Sequence, residues 1–133
     1  MTKSGKTAGK VVIYRNFCYF CSMRRIRTYG GYFQAFMQTL DEKVQRKIDY
    51  ALQLLKTQER LSSKFVKAIR DGLFELRIEY ESNIYRVFFI FDNEQIVVLF
   101  NGFQKKTQKT PRQEIEKALK IKEAYYEDKQ PQD

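Results

Sequence analysis

The chain contains no histidine and no tryptophan, and it has only two cysteines and two prolines among its 133 residues. Without histidine there is no usual general base near neutral pH, no usual nitrogen ligand for zinc, and no Ser-His or Cys-His pair. The cysteines form a single C-x-x-C, Cys18 and Cys21, which has no second Cys or His pair to complete a zinc site. Acid–base chemistry is therefore left to Asp, Glu, Lys, Arg and Tyr.

Long apolar runs are also missing, and none reaches the length of a transmembrane helix. The first 21 residues mix basic with aromatic side chains and do not have the form of a signal peptide. We therefore expect a cytoplasmic protein with no membrane partner, and we expect neither a metal nor a cofactor.

The chain is rich in positive charge and in aromatic side chains. Its formal net charge of +9 favours a polyanion as partner, and nucleic acid ranks slightly ahead of a merely solubilising surface. Hydrophobic residues make up 43% of the chain and aromatic residues 15%, so we expect one domain with a real core.

Hydrophobic periodicity predicts an α+β fold in which helices cover one face of a twisted sheet. A short strand starts at Met23 and stops at Gly30–Gly31, and a helical hairpin follows, with Thr39 and Glu42 as a capping box. The predicted elements are helices over 32–40 and about 42–55, a loop over 56–72 with Phe65 and Ile69 inward, a three-stranded antiparallel meander over 73–80, 84–91 and 95–101, and a C-terminal helix capped by Thr110, Pro111 and Gln113.

Two arginines lie within predicted strands. Arg86 interrupts an otherwise apolar strand, where an unpaired buried guanidinium would be costly, whereas Arg77 lies on the polar face of its strand. Two interpretations stay open. The arginines form a structural ion pair with Glu75 or Glu79, or they hold a planar donor fork ready for a phosphate.

Lys105, Lys106 and Lys109 follow the last predicted strand. Such a run on its own is typical of a solvated loop. Phe103 lies beside it, and a ring next to cations suits a base stacked beside its phosphate. The N-terminus of the last helix also favours anions, so the stretch indicates a nucleic-acid site.

RNA would suit a site that has no histidine, because its 2′-OH is an internal nucleophile. Cleavage then needs a base for the 2′-OH proton, cations for the phosphorane and a proton for the leaving 5′-oxygen. Arg, Lys, Glu and Tyr can supply all three, and neighbouring cations lower the pKa of a lysine that acts as the base.

Three motifs carry a resemblance: GLFELR at 72–77, YR at 85–86 and LFNGFQKKTQKTP at 99–111. Together they resemble the phage-derived HigB-like branch of the RelE/ParE superfamily, the toxins of type II toxin–antitoxin systems, over roughly Met23 to Glu127. The resemblance implies a RelE-like fold and endonuclease cleavage of mRNA, commonly on the ribosome. It also implies a small antitoxin with a helix-turn-helix domain. The pair would then bind DNA only through this antitoxin.

The resemblance also implies a set of site residues. Glu75 would act as a base or merely orient the arginines. The implied catalytic residues are Arg77, Arg86, Lys105, Lys106 and Glu75, and the implied RNA-binding residues are Phe103, Thr107 and Lys109.

Residues 1–22 have no counterpart in the resemblance, and we expect them to be a disordered extension or the product of a misassigned start codon. Residues 23–127 are then the toxin domain and 128–133 a polar tail. Two other functions stay open: a non-enzymatic or gyrase-directed member of the superfamily, and a plain nucleic-acid-binding module, which predicts salt-sensitive binding without turnover.

Overall fold

The structure is a computed structural model, and it describes residues 23–106 and 110–129 together with the backbone of 13–14 and 17–18. The predicted extension otherwise lies outside the described residues, as do the side chains of both cysteines. The elements are β1 (Ile13–Tyr14), β2 (Phe17–Cys18), β3 (Arg25–Thr28), α1 (Tyr32–Gln38), α2 (Glu42–Thr57), β4 (Val66–Arg70), β5 (Leu73–Tyr80), β6 (Asn83–Asn93), β7 (Ile96–Lys105) and α3 (Arg112–Lys129). None of the described helices is long and apolar enough to cross a membrane.

The main sheet has five strands in the order β3-β7-β6-β5-β4, and β1 and β2 form a separate antiparallel pair. β3 runs parallel to β7, while every other neighbouring pair in the main sheet is antiparallel. The predicted α+β class is confirmed, with its N-terminal strand, helical hairpin, antiparallel meander and C-terminal helix.

The prediction of a loop over residues 56–72 is wrong for β4, which makes the meander four-stranded. As an edge strand β4 exposes both Lys67 and Ala68, so it lacks the alternation by which a half-buried strand is recognised. Asp71 and Gly72 then take positive φ angles of 53° and 78°, the backbone of a tight hairpin turn whose twist matches the strands it joins.

Helices cover both faces of the sheet, not one as the pattern predicted. β6 is apolar on both sides, so each side needs a cover. Val87 and Phe89 pack with α1 and α2, whereas Phe88 and Ile90 pack with Ala118 and other side chains of α3. About half of the face that was predicted to be polar is therefore buried under α3, and charged side chains lie at one end of it.

Two residues predicted as helix caps make other hydrogen bonds. The Asp41 side chain accepts the hydrogen bond from the Val44 N–H, whereas the hydroxyl of Thr39 donates back to the carbonyl of Phe36. The hydroxyl of Thr110, which was expected to cap α3, donates instead to Glu75.

A β-bulge in the middle of β7 determines which of the later side chains of this strand face α3. Val87 pairs with Gly102 and Phe89 with Leu99, so two residues, Phe100 and Asn101, lie opposite one. The extra residue reverses the alternation that follows. β7 also continues to Lys105 rather than ending at 101 as predicted.

α3 continues to Lys129, so it includes Asp128 and Lys129, the first two residues of the predicted polar tail. The hydroxyl of Tyr29 donates to Asp128, and Lys129 Nζ lies 2.5 and 2.7 Å from the two carboxylate oxygens of Asp92. These bonds attach the end of α3 to β6 and to the segment that follows β3.

We expect Gly102→Ala to destabilise the fold by about 1–3 kcal/mol, the usual cost of overpacking. A Cβ at this position would lie 2.7 Å from Cε2 and 2.9 Å from Cγ of Phe36, a buried ring of α1. Urea unfolding measures the change, and the control is the same substitution made in a Phe36→Ala background. The cost should fall there, and an equal cost in both backgrounds would contradict the steric cause.

Candidate functional site

A groove of about 320 Å³ opens on the α3 side of the sheet, between the edge strand β4 and the start of α3. Three predicted site residues, Glu75, Arg77 and Lys105, line it. The register of the sheet explains why they meet. Arg77 in β5 pairs with Arg86 in β6, and Arg86 pairs with Phe103 in β7, two residues before Lys105. The complete lining is Lys67, Ala68, Ile69, Glu75, Arg77, Lys105, Thr110 and Ile115.

Glu75 is the centre of this arrangement, with only 1% of its surface exposed. Its Oε1 lies 3.4 Å from Nε of Arg86 and 4.0 Å from Nε of Arg77. Its Oε2 accepts a 2.8 Å hydrogen bond from the hydroxyl of Thr110. Because both oxygens are engaged and buried, this carboxylate is suited to orienting the arginines rather than to taking a proton from a substrate.

Arg86 is buried, with 2% of its surface exposed, and the predicted ion pair with Glu75 is present. Its Nη1 donates to the carbonyl of Tyr85 at 3.1 Å, while its Nε has no partner in hydrogen-bonding geometry among residues 23–106 and 110–129. Burial lowers the pKa of Arg86, and the carboxylate of Glu75 opposes this shift. The guanidinium is therefore a fixed charge beneath the groove.

Arg77 and Lys105 are partly exposed and present their charges to the groove. Nη1 of Arg77 donates to the carbonyl of Ser63 at 3.3 Å, which leaves most of its donor fork unused by the protein contacts described here. The pKa of Lys105 is lowered, first by burial and then by the positive charge of Arg86, with Glu75 acting in the opposite direction. A lysine with a lowered pKa is closer to working as a base.

The remaining predicted residues have different positions. Lys106 is exposed and does not line the groove, and Thr107 and Lys109 lie outside the described residues. Phe103 is 9% exposed, and its ring centroid lies 5.6 Å from that of Phe88 in the core beneath α3. Because this ring is packed into the core, little of it is open to a base, and the RNA-binding role of Phe103 stays a prediction.

Sequence reasoning missed two polar residues of the groove, Lys67 and Thr110. Lys67 was assigned to a loop, although its pairing with Glu75 across β4 and β5 brings it to the site. The signal that could have found it is the Asp71–Gly72 dipeptide, a strong hairpin indicator. Thr110 was recognised only as a cap. The described residues contain no cluster of three or more Asp, Glu, Cys or His that could hold a metal ion.

The fold and site are those of a small basic α+β domain with a buried carboxylate–guanidinium cluster. The chain belongs to the family described as "Phage derived protein Gp49-like (DUF891)", which matches residues 35–123. The expected phage-derived family is thus confirmed, while the HigB-like branch stays a prediction.

Two further comparisons, with curated proteins and with solved structures, do not identify the family more closely. No curated protein matches the chain. Among solved structures, it is similar to a chain in the crystal structure of the archaeal RelE-RelB complex from Pyrococcus horikoshii OT3, with 15% sequence identity and a TM-score of 0.48. That match covers 66% of this chain and 99% of the other.

We expect Glu75→Gln to destabilise the protein by about 3 kcal/mol, because it leaves the Arg86 guanidinium buried without a countercharge. The amide keeps the size of the side chain and an acceptor for Thr110. Glu79→Gln on the exposed part of the same strand is the matched control and should change stability by less than about 0.5 kcal/mol. Similar midpoints in urea for the two variants would show that the buried pair is not structural.

We expect the ε-ammonium of Lys105 to lose its proton below its ordinary pKa of 10.5. Since the folded protein disfavours the charged form, Lys105 lowers stability below its folded-state pKa, and this destabilisation disappears as pH rises through that pKa towards 10.5. NMR titration of its side chain gives the value directly. Lys67→Gln should raise the pKa of Lys105 and Glu75→Gln should lower it, because one removes a positive and the other a negative charge. Shifts of the same sign would contradict this electrostatic account.

Proposed function

We propose that the protein is the toxin of a type II toxin–antitoxin pair and that it cleaves mRNA as an endoribonuclease on the ribosome, in the cytoplasm. The observation that carries the proposal is the groove in which Arg77, Lys105 and Lys67 surround the buried Glu75. Three cations on one concave surface suit a phosphodiester, and the lowered pKa of Lys105 suits proton transfer.

The proposed reaction is attack by the 2′-OH on its own neighbouring phosphate. Lys105 Nζ, in its neutral form, takes the proton of the 2′-OH, and the 2′-oxygen forms a bond to phosphorus. The bond from phosphorus to the 5′-oxygen then breaks, which leaves a 2′,3′-cyclic phosphate. The departing 5′-oxygen takes a proton from a protonated lysine of the groove, for which Lys67 is placed.

The two arginines have separate roles in this proposal. Arg77 is partly exposed, so its free donors can bind the charge that develops on the phosphorane. Arg86 is buried, so it acts through Glu75 and through the electrostatic potential of the groove as a positioning residue. In this proposal Lys106, Thr107 and Lys109 bind phosphates of the RNA strand.

The proposed protein partner is a small helix-turn-helix antitoxin. Neutralisation would need only that it cover or distort the groove, and DNA would be contacted by the complex through the antitoxin. This proposal rests on the resemblance of the motifs at 72–77, 85–86 and 99–111, and membership of the HigB-like branch is proposed on the same ground.

We expect induced expression to arrest growth and to create new 5′ ends in a translated mRNA, mapped by primer extension. Lys105→Gln should reduce cleavage by roughly 10²–10⁴-fold, as expected for an acid–base group. Arg77→Gln should reduce it by roughly 10²–10³-fold, the usual effect of removing one charge-stabilising donor. Arg86→Ala is less informative, because removing a buried guanidinium also affects folding.

Arg46→Gln is the matched control, since this arginine is exposed on α2 and pairs only with Glu42 at 3.5 Å among the contacts described. It should cleave like the parent protein. Growth arrest without new mRNA ends would overturn the nuclease proposal and favour a gyrase-directed or purely binding protein. Cleavage that survives both groove variants would overturn the site assignment.

A further inference from the structure

We propose that a second cavity, between α2 and the open edge of β5, binds the nucleotides that flank the cleavage site. This inference rests on the proposed function, because it extends the RNA path away from the groove. The cavity has a volume of about 450 Å³, and its polar and aromatic lining is Lys47, Tyr50, Lys64, Phe65, Arg77 and Glu79.

The cavity exists because β4 is shorter than β5. Strand pairing starts at Val66 with Leu76, and one more bond joins the N–H of Arg77 to the carbonyl of Phe65. Beyond that point residues 78–80 have no strand partner on this side within the described part of the chain. The sheet edge is therefore open where α2 passes over it.

Arg77 connects the two cavities, since it lines both. It lies on the α3 face of the sheet, whereas Ile78 packs with α2 on the other face. A strand seated in the first groove can thus pass round the sheet edge at Arg77 into the second cavity. The continuous surface is longer than either cavity alone, as an extended single strand requires.

Tyr50 gives this cavity a stacking surface. It is 60% exposed, the largest exposed fraction among the large hydrophobic side chains described. Nζ of Lys47 lies over this ring, 6.0 Å from its centroid, so a cation accompanies an aromatic ring that is largely exposed. A base can stack on such a ring while its phosphate meets the ammonium group, and this stacking works for any base.

The charges of the cavity select the occupant. Three cations, Lys47, Lys64 and Arg77, face a single carboxylate, that of Glu79. This balance attracts a polyanion. An acidic peptide would satisfy the charges but leave the ring of Tyr50 without a planar partner. Single-stranded RNA uses both features, so we assign the cavity to RNA.

The test is binding of a fluorescent single-stranded RNA of about twelve nucleotides with 2′-O-methyl groups, which cannot be cleaved by 2′-OH attack. Anisotropy is followed over a range of salt concentrations with the full chain. Tyr50→Ala should weaken binding by on the order of ten-fold, and Tyr50→Phe should keep parental affinity because it keeps the ring. Lys47→Gln should reduce the salt dependence by about 0.7 of a logarithmic unit per unit of log salt.

Tyr32 and Lys117 provide a matched control pair on another surface. Tyr32 is 38% exposed, and Nζ of Lys117 lies 5.7 Å from its ring centroid, but neither residue lines either of these two cavities. Tyr32→Ala and Lys117→Gln should leave RNA affinity within about two-fold of the parent, as expected for substitutions that remove no stacking contact.

Equal losses in the Tyr50 and Tyr32 variants, or no loss in either, would overturn the inference. So would a Tyr50→Ala protein that binds RNA normally but loses binding to poly-glutamate, which would assign the cavity to an acidic protein segment. A parent protein that binds no RNA would overturn this inference, while new mRNA ends in cells that express it would leave the nuclease proposal standing. Normal RNA binding without mRNA cleavage in cells would overturn the nuclease proposal alone.

Discussion

The buried carboxylate of Glu75 is the interaction on which the rest of the site depends. It lies within 4.0 Å of two guanidinium groups and accepts a hydrogen bond from Thr110, so three chain segments meet at one side chain. Without it, Arg86 would be an uncompensated charge in an apolar sheet. With it, Arg86 can remain buried and Arg77 is held at the wall of the groove.

The architecture leaves room for this cluster at only one end of the sheet. α3 covers the apolar half of its face through Ala118 and Ile121, and the polar half lies beyond the start of that helix. The bulge at Phe100 and Asn101 matters here, because it turns Lys105 towards α3. The same bulge turns Phe103 towards α3, where its ring packs near that of Phe88 in the core.

Several chemical properties of the site follow from charge crowding in a partly buried place. Burial and the neighbouring guanidinium of Arg86 lower the pKa of Lys105, which favours the role of base that we propose for this lysine. Glu75 limits that shift and stabilises the cluster. Beyond Arg77, which lines both cavities, the open edge of β5 leaves a second basic cavity that reaches Tyr50, and this is the path that we propose for a single RNA strand.

The sequence by itself determined the α+β class, the helical hairpin and three strands of the meander, and it offered the pairing of Arg86 with an acidic neighbour as one of two interpretations. These follow from local periodicity and from the high cost of an unpaired buried charge, both of which can be read along the chain. Only the tertiary structure decided that β4 is a strand, that helices cover both faces, and that Lys67 and Thr110 reach the groove. The edge strand β4 lacks the alternation of exposed and buried side chains by which a strand is recognised. The one-residue bulge in β7 reverses the face of the sheet to which every later side chain of that strand points. Both features therefore depend on contacts between residues that are distant in the sequence.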